Sequence, residues 1–265
     1  MTDMMKTSFR ERLLRGERVF GSHISVTDPS VTEIMAHSDL DFVWIDTEHT
    51  PLGLKCVEDH IARIRQTDAA VVVRARMNDR NHVKRILEMG VDGIVFPQIK
   101  TPEEARAAVT SCLYPPEGTR GFGPRGAIHF GLLDAGEYLA TANQRLAKII
   151  QLETPESIEC LPELLAIKEI DVFLFGPCDL SIQYGEPLRY MEGKTREAMQ
   201  YATALIRKAG RCVGISMGRN DDEFLQYCVD LGINMISTGS DFDYILWAAQ
   251  DYHRRIQRFR GKVQS

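Results

Sequence analysis

The stretch Val71-Val72-Val73-Arg74, followed by Asn81 to Met89-Gly90 and then by Gly93-Ile94-Val95-Phe96, holds the pattern that decides the fold. Three β-branched residues in a row suit a strand covered on both faces, which has no polar side to alternate with. Between Asn81 and Met89 the apolar residues recur at helical spacing, and Gly90 supplies the stop that a helix C-terminus favours. A second short apolar run follows at once. Strand, helix, strand in so short a span is the parallel crossover unit, whose two strands lie in one sheet.

Working outward, runs of strand length recur at 19–24, 42–46, 71–75, 93–96, 148–152, 172–175, 212–215 and 235–237, which makes eight. Stretches of helical periodicity lie between and after them, at 29–37, 54–66, 81–89, 102–111, 157–166, 197–209, 221–231 and 241–258. Several open on capping chemistry, as in Thr101-Pro102-Glu103-Glu104, and several close on glycine, as at Gly210 and Gly232. Strict alternation predicts a parallel sheet, and eight units predict closure into an α/β fold, the (β/α)8 TIM barrel, as a single domain over residues 1–265. Two segments fall outside the repeat. Ser8 to Leu14 is amphipathic and suits a helix plugging the barrel's foot, and the Gly- and Pro-rich region from Tyr114 to about Gly136 is long enough to expect a lid or a subunit contact.

Composition narrows the function. The chain has 265 residues, 44% hydrophobic and 26% charged, with net charge -5, and its basic residues are scattered, so no nucleic-acid footprint is present. The densest basic cluster, Arg254 to Lys262, reads as a solvated or subunit-facing helix surface. No apolar run approaches the roughly 18 residues needed to span a bilayer, so no membrane partner is expected. Six widely spaced cysteines without a C-x-x-C pair suit reduced thiols and a cytoplasmic address.

A barrel of this kind displays its chemistry where strands end. Strand two ends in Asp46-Thr47-Glu48-His49, strand three in Arg74, strand five in Gln151-Leu152-Glu153, and strand six leads through Gly176-Pro177-Cys178 to Asp179. The eighth leads into Ser237-Thr238-Gly239, a helix start able to hold an anion. Glu153 and Asp179 on adjacent strand ends would repel unless a cation or proton sits between them, and a hard divalent ion such as Mg2+, Mn2+ or Co2+ accepts that donor set. The competing possibility is that both acids only cap helices. Arg74 suits a carboxylate or a developing enolate oxygen, or else an ion pair closing the barrel top. His49 is a candidate general base oriented by Asp46, while the other histidines, His23 among them, read as structural. Gly121-Phe122-Gly123-Pro124-Arg125-Gly126 matches a dinucleotide pattern in letters only, since it follows Pro115-Pro116 instead of a strand. Lys148 falls at a strand start and Lys100 beyond a strand end, so no imine-forming lysine is expected.

Together these motifs make the chain resemble the HpcH/HpaI family of metal-dependent 2-oxo-acid aldolases. The resemblance rests on Asp46-Thr47-Glu48-His49-Thr50-Pro51, on Val73-Arg74 with Asn78-Asp79, on Tyr114-Pro115-Pro116-Glu117-Gly118-Thr119-Arg120-Gly121, on Gln151 with Glu153-Thr154, and on Gly176-Pro177-Cys178-Asp179-Leu180-Ser181. It implies that Glu153 and Asp179 ligate a divalent metal that chelates pyruvate, and that Arg74 stabilises the enolate. It further implies that an Asp46–His49 pair moves the hydroxyl proton and that Gln151 with Gly176, Pro177 and Cys178 holds the substrate. An acid near the end of the third helix supports the family's histidine, and Glu88 matches that place. The resemblance also implies a homohexamer with exchanged C-terminal helices and no organic cofactor. The expected activity is a lyase cleaving 4-hydroxy-2-oxo acids to pyruvate and an aldehyde. Oxaloacetate decarboxylation, a macrophomate-synthase-like carbon–carbon lyase, and a catalytically silent barrel acting as a small-molecule sensor are the alternatives.

Overall fold

The computed structural model describes residues 7–260. The apolar runs become β1 (Val19–Ile24), β2 (Phe42–Asp46), β3 (Ala70–Arg74), β4 (Gly93–Phe96), β5 (Ala147–Leu152), β6 (Val172–Phe175), β7 (Cys212–Met217) and β8 (Met235–Ser240). All pair in parallel in chain order, and β8 pairs with β1, so the sheet closes into a barrel. The helices between strands are α2 (Pro29–Ala36), α3 (Leu54–Ile64), α4 (Arg80–Glu88), α5 (Pro102–Cys112), α6 (Ala135–Arg145), α7 (Pro155–Glu159), α8 (Leu161–Leu165), α9 (Pro177–Gln183), α10 (Gly193–Lys208) and α11 (Asp222–Leu231). The barrel is preceded by α1 (Phe9–Leu14) and followed by α12 (Asp241–Gln257).

Strand pleating divides the apolar side chains into two cores. Phe42, Trp44, Val72, Val95, Ile149, Val172, Leu174 and Met235 fill the barrel, which Phe9 and Leu13 of α1 close at the foot. Val43, Ile45, Val71, Val73, Ile150, Leu152, Phe173 and Phe175 face the helices instead. The period of two then places Asp46, Arg74, Gln151 and Glu153 in line with the barrel-filling set, at its upper end. Register completes the arrangement, because Asp46 is the Cα partner of Arg74 and Gln151 that of Leu174.

Where structure departs from expectation, chain direction explains it. The region after Tyr114 contains a 3-10 segment, Gly126–Gly131, and helix α6, neither of which the apolar spacing disclosed. It joins the end of α5 to the start of β5. That is the foot of the barrel, so the region is no lid over its own chain's strand ends. Short α9 was also unread, and the helix expected after β5 is split at Cys160 into α7 and α8. The proposed anion seat before α12 is filled internally. At the start of α12 the Phe242 N–H donates to Asp241 Oδ1 and the Asp243 N–H to the Ser240 hydroxyl oxygen.

A cavity of about 310 Å³ opens at the foot among Arg65, Leu87, Asp92, Arg120 and Tyr138, remote from the strand C-termini. At the same end Lys148 is buried, its ammonium 2.9 Å from Asp171 and 2.7 Å from the Leu146 carbonyl oxygen. Asp171 also accepts the Lys148 backbone N–H and the guanidinium of Arg10, so one carboxylate ties α1, β5 and β6 together. Asp171→Ala would leave a buried ammonium without its counter-ion and should cost roughly 3–5 kcal/mol. Urea unfolding measures this, and a loss below about 1 kcal/mol would show that the pair does not anchor the foot.

Candidate active site

Arg74 sits at the end of β3, almost fully buried, where period-two placement allows its side chain only toward the mouth. Its Nε donates to Asp46 Oδ1 at 2.8 Å and its Nη2 to Asp46 Oδ2 at 2.7 Å, while Nη1 lies 3.1 Å from Glu48 Oε2. The guanidinium carbon rests 5.6 Å from the centre of the Trp44 ring. A guanidinium has five N–H donors, of which two are hydrogen-bonded to Asp46, while Nη1 makes an ion contact with Glu48. The arginine is thus the ion pair at the barrel top. Despite the cost of burial, its two acids hold it protonated, and the pairing keeps the Asp46 carboxyl below its usual range.

This geometry corrects the assignment of Asp46. Both of its oxygens serve Arg74, and Oδ1 also accepts the Glu48 backbone N–H. The acid beside His49 is Glu48, whose Oε2 lies 3.6 Å from His49 Nε2. His49 itself stands at the rim, its side chain 59% exposed. Glu48 received no role from the sequence because it was one polar residue among four. Its position between arginine and histidine depends on the turn after β2, where the Thr50 hydroxyl donates back to the Asp46 carbonyl oxygen. Glu88 is a second correction. Helices return antiparallel to the strands, so the end of α4 lies at the foot, where Glu88 abuts Gly123 of the long loop. Within one chain it cannot support His49.

Glu153 follows β5 and is fully buried. Its Oε1 accepts the Gln98 backbone N–H at 2.6 Å and its Oε2 accepts Gln151 Nε2 at 2.5 Å. It does not cap the next helix, since Thr154 and Ser157 form that capping box themselves. Gln98 holds a left-handed φ of 55°, the conformation that aims its N–H at Glu153, and no local pattern announces it. Asp179 lies in the first turn of α9, half-buried, and among the described residues no hydrogen bond reaches its carboxylate. Burial pushes the Glu153 carboxyl up to about 7, with Glu48 and Asp179 adding repulsion. Burial likewise raises Glu48, against the pull of Arg74.

Three carboxylates therefore share the inner mouth with one arginine already paired to a fourth. That excess of oxygen donors fits a hard divalent cation held by Glu153 and Asp179, with water and substrate oxygens completing its shell. Among the described residues no set of three or more acidic, histidine or cysteine side chains is arranged to hold an ion alone, so the fit is to an open site. Gly176 leaves room for it. A Cβ there would lie 2.8 Å from Gln151 Nε2, 2.9 Å from Glu153 Cβ and 3.0 Å from Glu153 Oε2. The Gln151 Oε1 atom is buried and has no hydrogen-bond partner among the described residues, an acceptor left open on the same floor. Cys178, in the first turn of α9, packs its sulfur 3.5 Å from that of Met217.

Acids and an arginine converging at the carboxyl ends of a closed parallel barrel define the site of a barrel enzyme. The model of the HpcH/HpaI aldolase/citrate lyase family matches residues 20–247, and the chain belongs to that family. It is similar to the hydroxypyruvate/pyruvate aldolase of Roseovarius nubinhibens, 31% identical over 253 residues that cover 96% of each chain. It is also similar to the 4-hydroxy-2-oxo-heptane-1,7-dioate aldolase of Shigella sonnei, 29% identical over 93% of each. Among solved structures, an HpcH/HpaI aldolase/citrate lyase family protein from Burkholderia cenocepacia superposes with TM-score 0.87 at 28% identity, covering 94% of this chain and 98% of its own. Macrophomate synthase superposes with TM-score 0.83 at 25% identity, covering 96% of this chain and 92% of its own.

Gly176→Ala would drive a methyl group into Glu153 and Gln151 without backbone strain, since the glycine's φ of -105° is open to any residue. It should lower turnover by at least about tenfold while costing little stability, because the displaced groups are the site's own and not the core's. Thermal melting alongside initial rates separates the two; a variant as active as the parent would show that the close approach is irrelevant.

Proposed function

We propose that the chain is a divalent-metal-dependent lyase that cleaves 4-hydroxy-2-oxo acids to pyruvate, or a closely related 2-oxo acid, and an aldehyde, and runs the condensation in reverse. One observation carries this proposal: Glu153 lies close enough to Asp179 and to Arg74 for the charge of each to act on its carboxyl, which brings two acids and the arginine to one end of the barrel. When bound, a divalent cation such as Mg2+, Mn2+ or Co2+ would supply Lewis-acid polarisation of the keto group.

The chain's own residues do the rest. Cleavage sends the C3–C4 bonding pair toward C2 and builds charge on the keto oxygen, and the preorganised Arg74 N–H groups lie where such charge develops. Asp46 fixes the plane of that guanidinium. The 4-hydroxyl proton must leave as the aldehyde forms, and His49 at the rim, with Glu48 beside it, is positioned to take it. Gln151 and the backbone of Gly176, Pro177 and Cys178 border the space for the 2-oxo acid. Lys148 takes no part, because it is locked into its ion pair at the foot. Oxaloacetate decarboxylation uses the same enolate machinery without a hydroxyl proton. The exposed Phe242, Ile245, Leu246 and Trp247 on α12 support a homo-oligomer, the hexamer with exchanged C-terminal helices expected from the resemblance. No helix among the described residues is long and apolar enough to cross a membrane, which accords with a cytoplasmic enzyme.

Two substitutions test the roles. Glu153→Ala should abolish pyruvate release from both a 4-hydroxy-2-oxo acid and oxaloacetate. His49→Ala should lower the aldol cleavage by about 100- to 10,000-fold while sparing much of the decarboxylation. Equal loss of both in His49→Ala, at unchanged metal affinity, would remove His49 as the aldol base. EDTA should silence the parent, and borohydride with pyruvate should not.

Metal affinity should also follow pH. With the Glu153 carboxyl pushed up to about 7, a proton competes for the same oxygens, and its loss on raising the pH frees them. Calorimetric titration with Mn2+ should show affinity falling by about tenfold from pH 8 to pH 6. An affinity flat across that window would show that Glu153 is not a ligand.

A further inference from the structure

Asn78-Asp79, one of the stretches on which the resemblance rests, supplies no group to the chemistry above. Its two residues reach in different directions. Asp79 caps α4, its carboxylate accepting the backbone N–H of Asn81 and of His82. That cap fixes where the turn after β3 ends. Asn78, just before it, reaches across to the neighbouring strand end, where its Nδ2 donates to the Pro97 carbonyl oxygen at 2.8 Å.

That carbonyl belongs to the peptide group whose N–H is carried by Gln98. A trans peptide group is a rigid plane with C=O and N–H on opposite edges, so a hydrogen bond that holds one edge sets the direction of the other. The N–H edge points at Glu153, whose Oε1 accepts it at 2.6 Å. Asn78, the 97–98 peptide and Glu153 therefore form one chain of hydrogen bonds, donor to acceptor throughout, in which each bond polarises the next. The chain is assembled by tertiary structure alone. Asn78 lies 19 residues from Pro97, and Gln98 lies 55 from Glu153.

Nothing else keeps this plane in place. β4 ends at Phe96, so both edges of the 97–98 peptide are held by side chains and not by the sheet's own ladder. Gln98 stands at a φ of 55°, a left-handed conformation that a non-glycine residue keeps only where its surroundings require it. Glu153, for its part, is held on both oxygens, since Oε2 accepts Gln151 Nε2. Each oxygen gives one lone pair to a donor fixed by the fold and retains one. A carboxylate free to turn about its last bond would offer those remaining lone pairs in any direction; held at both oxygens, it offers them in one.

We propose that Asn78 is a positioning residue of the metal site: through the 97–98 peptide it holds the Gln98 N–H on Glu153, and so sets the direction in which that carboxylate presents its remaining lone pairs to the cation. The role in metal binding rests on the cation proposed above for Glu153; the hold on the Gln98 N–H does not.

Metal affinity is the first measurement, by calorimetric titration of Mn2+ into the metal-free protein without substrate. Removing the donor in Asn78→Ala should weaken binding by about tenfold, the usual cost of losing an outer partner of a metal ligand. Asn78→Asp sets an acceptor against the Pro97 carbonyl oxygen and should weaken binding at least as far, whereas its added negative charge alone would tighten it. Asn78 is exposed, so the urea midpoint of the metal-free protein should move little in either variant. Affinity unchanged in Asn78→Ala, or tightened in Asn78→Asp, would overturn the proposal, as would a fall in the urea midpoint with Mn2+ affinity intact, the mark of a merely structural role. The second measurement needs no metal. With glutamine backbone amides labelled by 15N and the Gln98 signal assigned by its loss in Gln98→Gly, the parent N–H should resonate far downfield, as a short bond to a carboxylate requires. In Asn78→Ala it should return toward the ordinary amide range, and a signal that stays put would overturn the relay. A parent that binds no Mn2+, yet whose Gln98 amide moves in Asn78→Ala, would sink the cation proposed for Glu153 and keep Asn78's hold on the peptide.

Discussion

A side chain on a closed barrel's strand faces either the axis or the helix layer, and the choice alternates residue by residue. Everything at the mouth follows from that constraint. Trp44 and Val72 fill the barrel, so Asp46 and Arg74 must face the mouth; Ile149 fills it, so Gln151 and Glu153 must as well. The same rule gives β1, β7 and β8 their inward His23, Ser216 and Ser237. A one-residue slip of any of these strands would turn its polar end into the apolar helix layer, where no partner could balance it.

Electrostatics then ranks the groups that share this space. Asp46 and Arg74 neutralise one another in a bidentate pair, which fixes the guanidinium plane. Glu48, Glu153 and Asp179 remain, and burial with mutual repulsion raises Glu48 and Glu153. An excess of oxygen donors with too few cations is expensive in a protein interior unless a ligand resolves it.

Backbone geometry supplies the precision. Gly176 lets β6 approach Glu153 more closely than any side chain would permit, and the left-handed Gln98 turns an N–H inward to hold one carboxylate oxygen. A residue held at positive φ without being glycine carries a modest cost, of order 1–3 kcal/mol, which surrounding structure must offset. Here β4 and β5 on either side are fully buried and well placed to do so.

Much of this was legible in the order of residues. Eight short apolar runs, helical spacing between them and glycine stops are local properties, set by what each segment can bury, and they determine a parallel barrel whatever the details. Polar residues closing apolar strands marked Arg74, Gln151 and Glu153 for the same reason, since parity along a strand is written in the sequence. Partnership was not. Asp46 lies three places from His49 along the chain and twenty-eight from Arg74, yet parallel register sets it against Arg74 and leaves Glu48 beside the histidine. Glu88 and the long loop after Tyr114 fall at the foot because helices run back against the strands, a direction that spacing does not encode. His23, Ser216 and Ser237 lie on the first, seventh and eighth strands, and only barrel closure, which seats β8 against β1, brings the histidine and the two hydroxyls together.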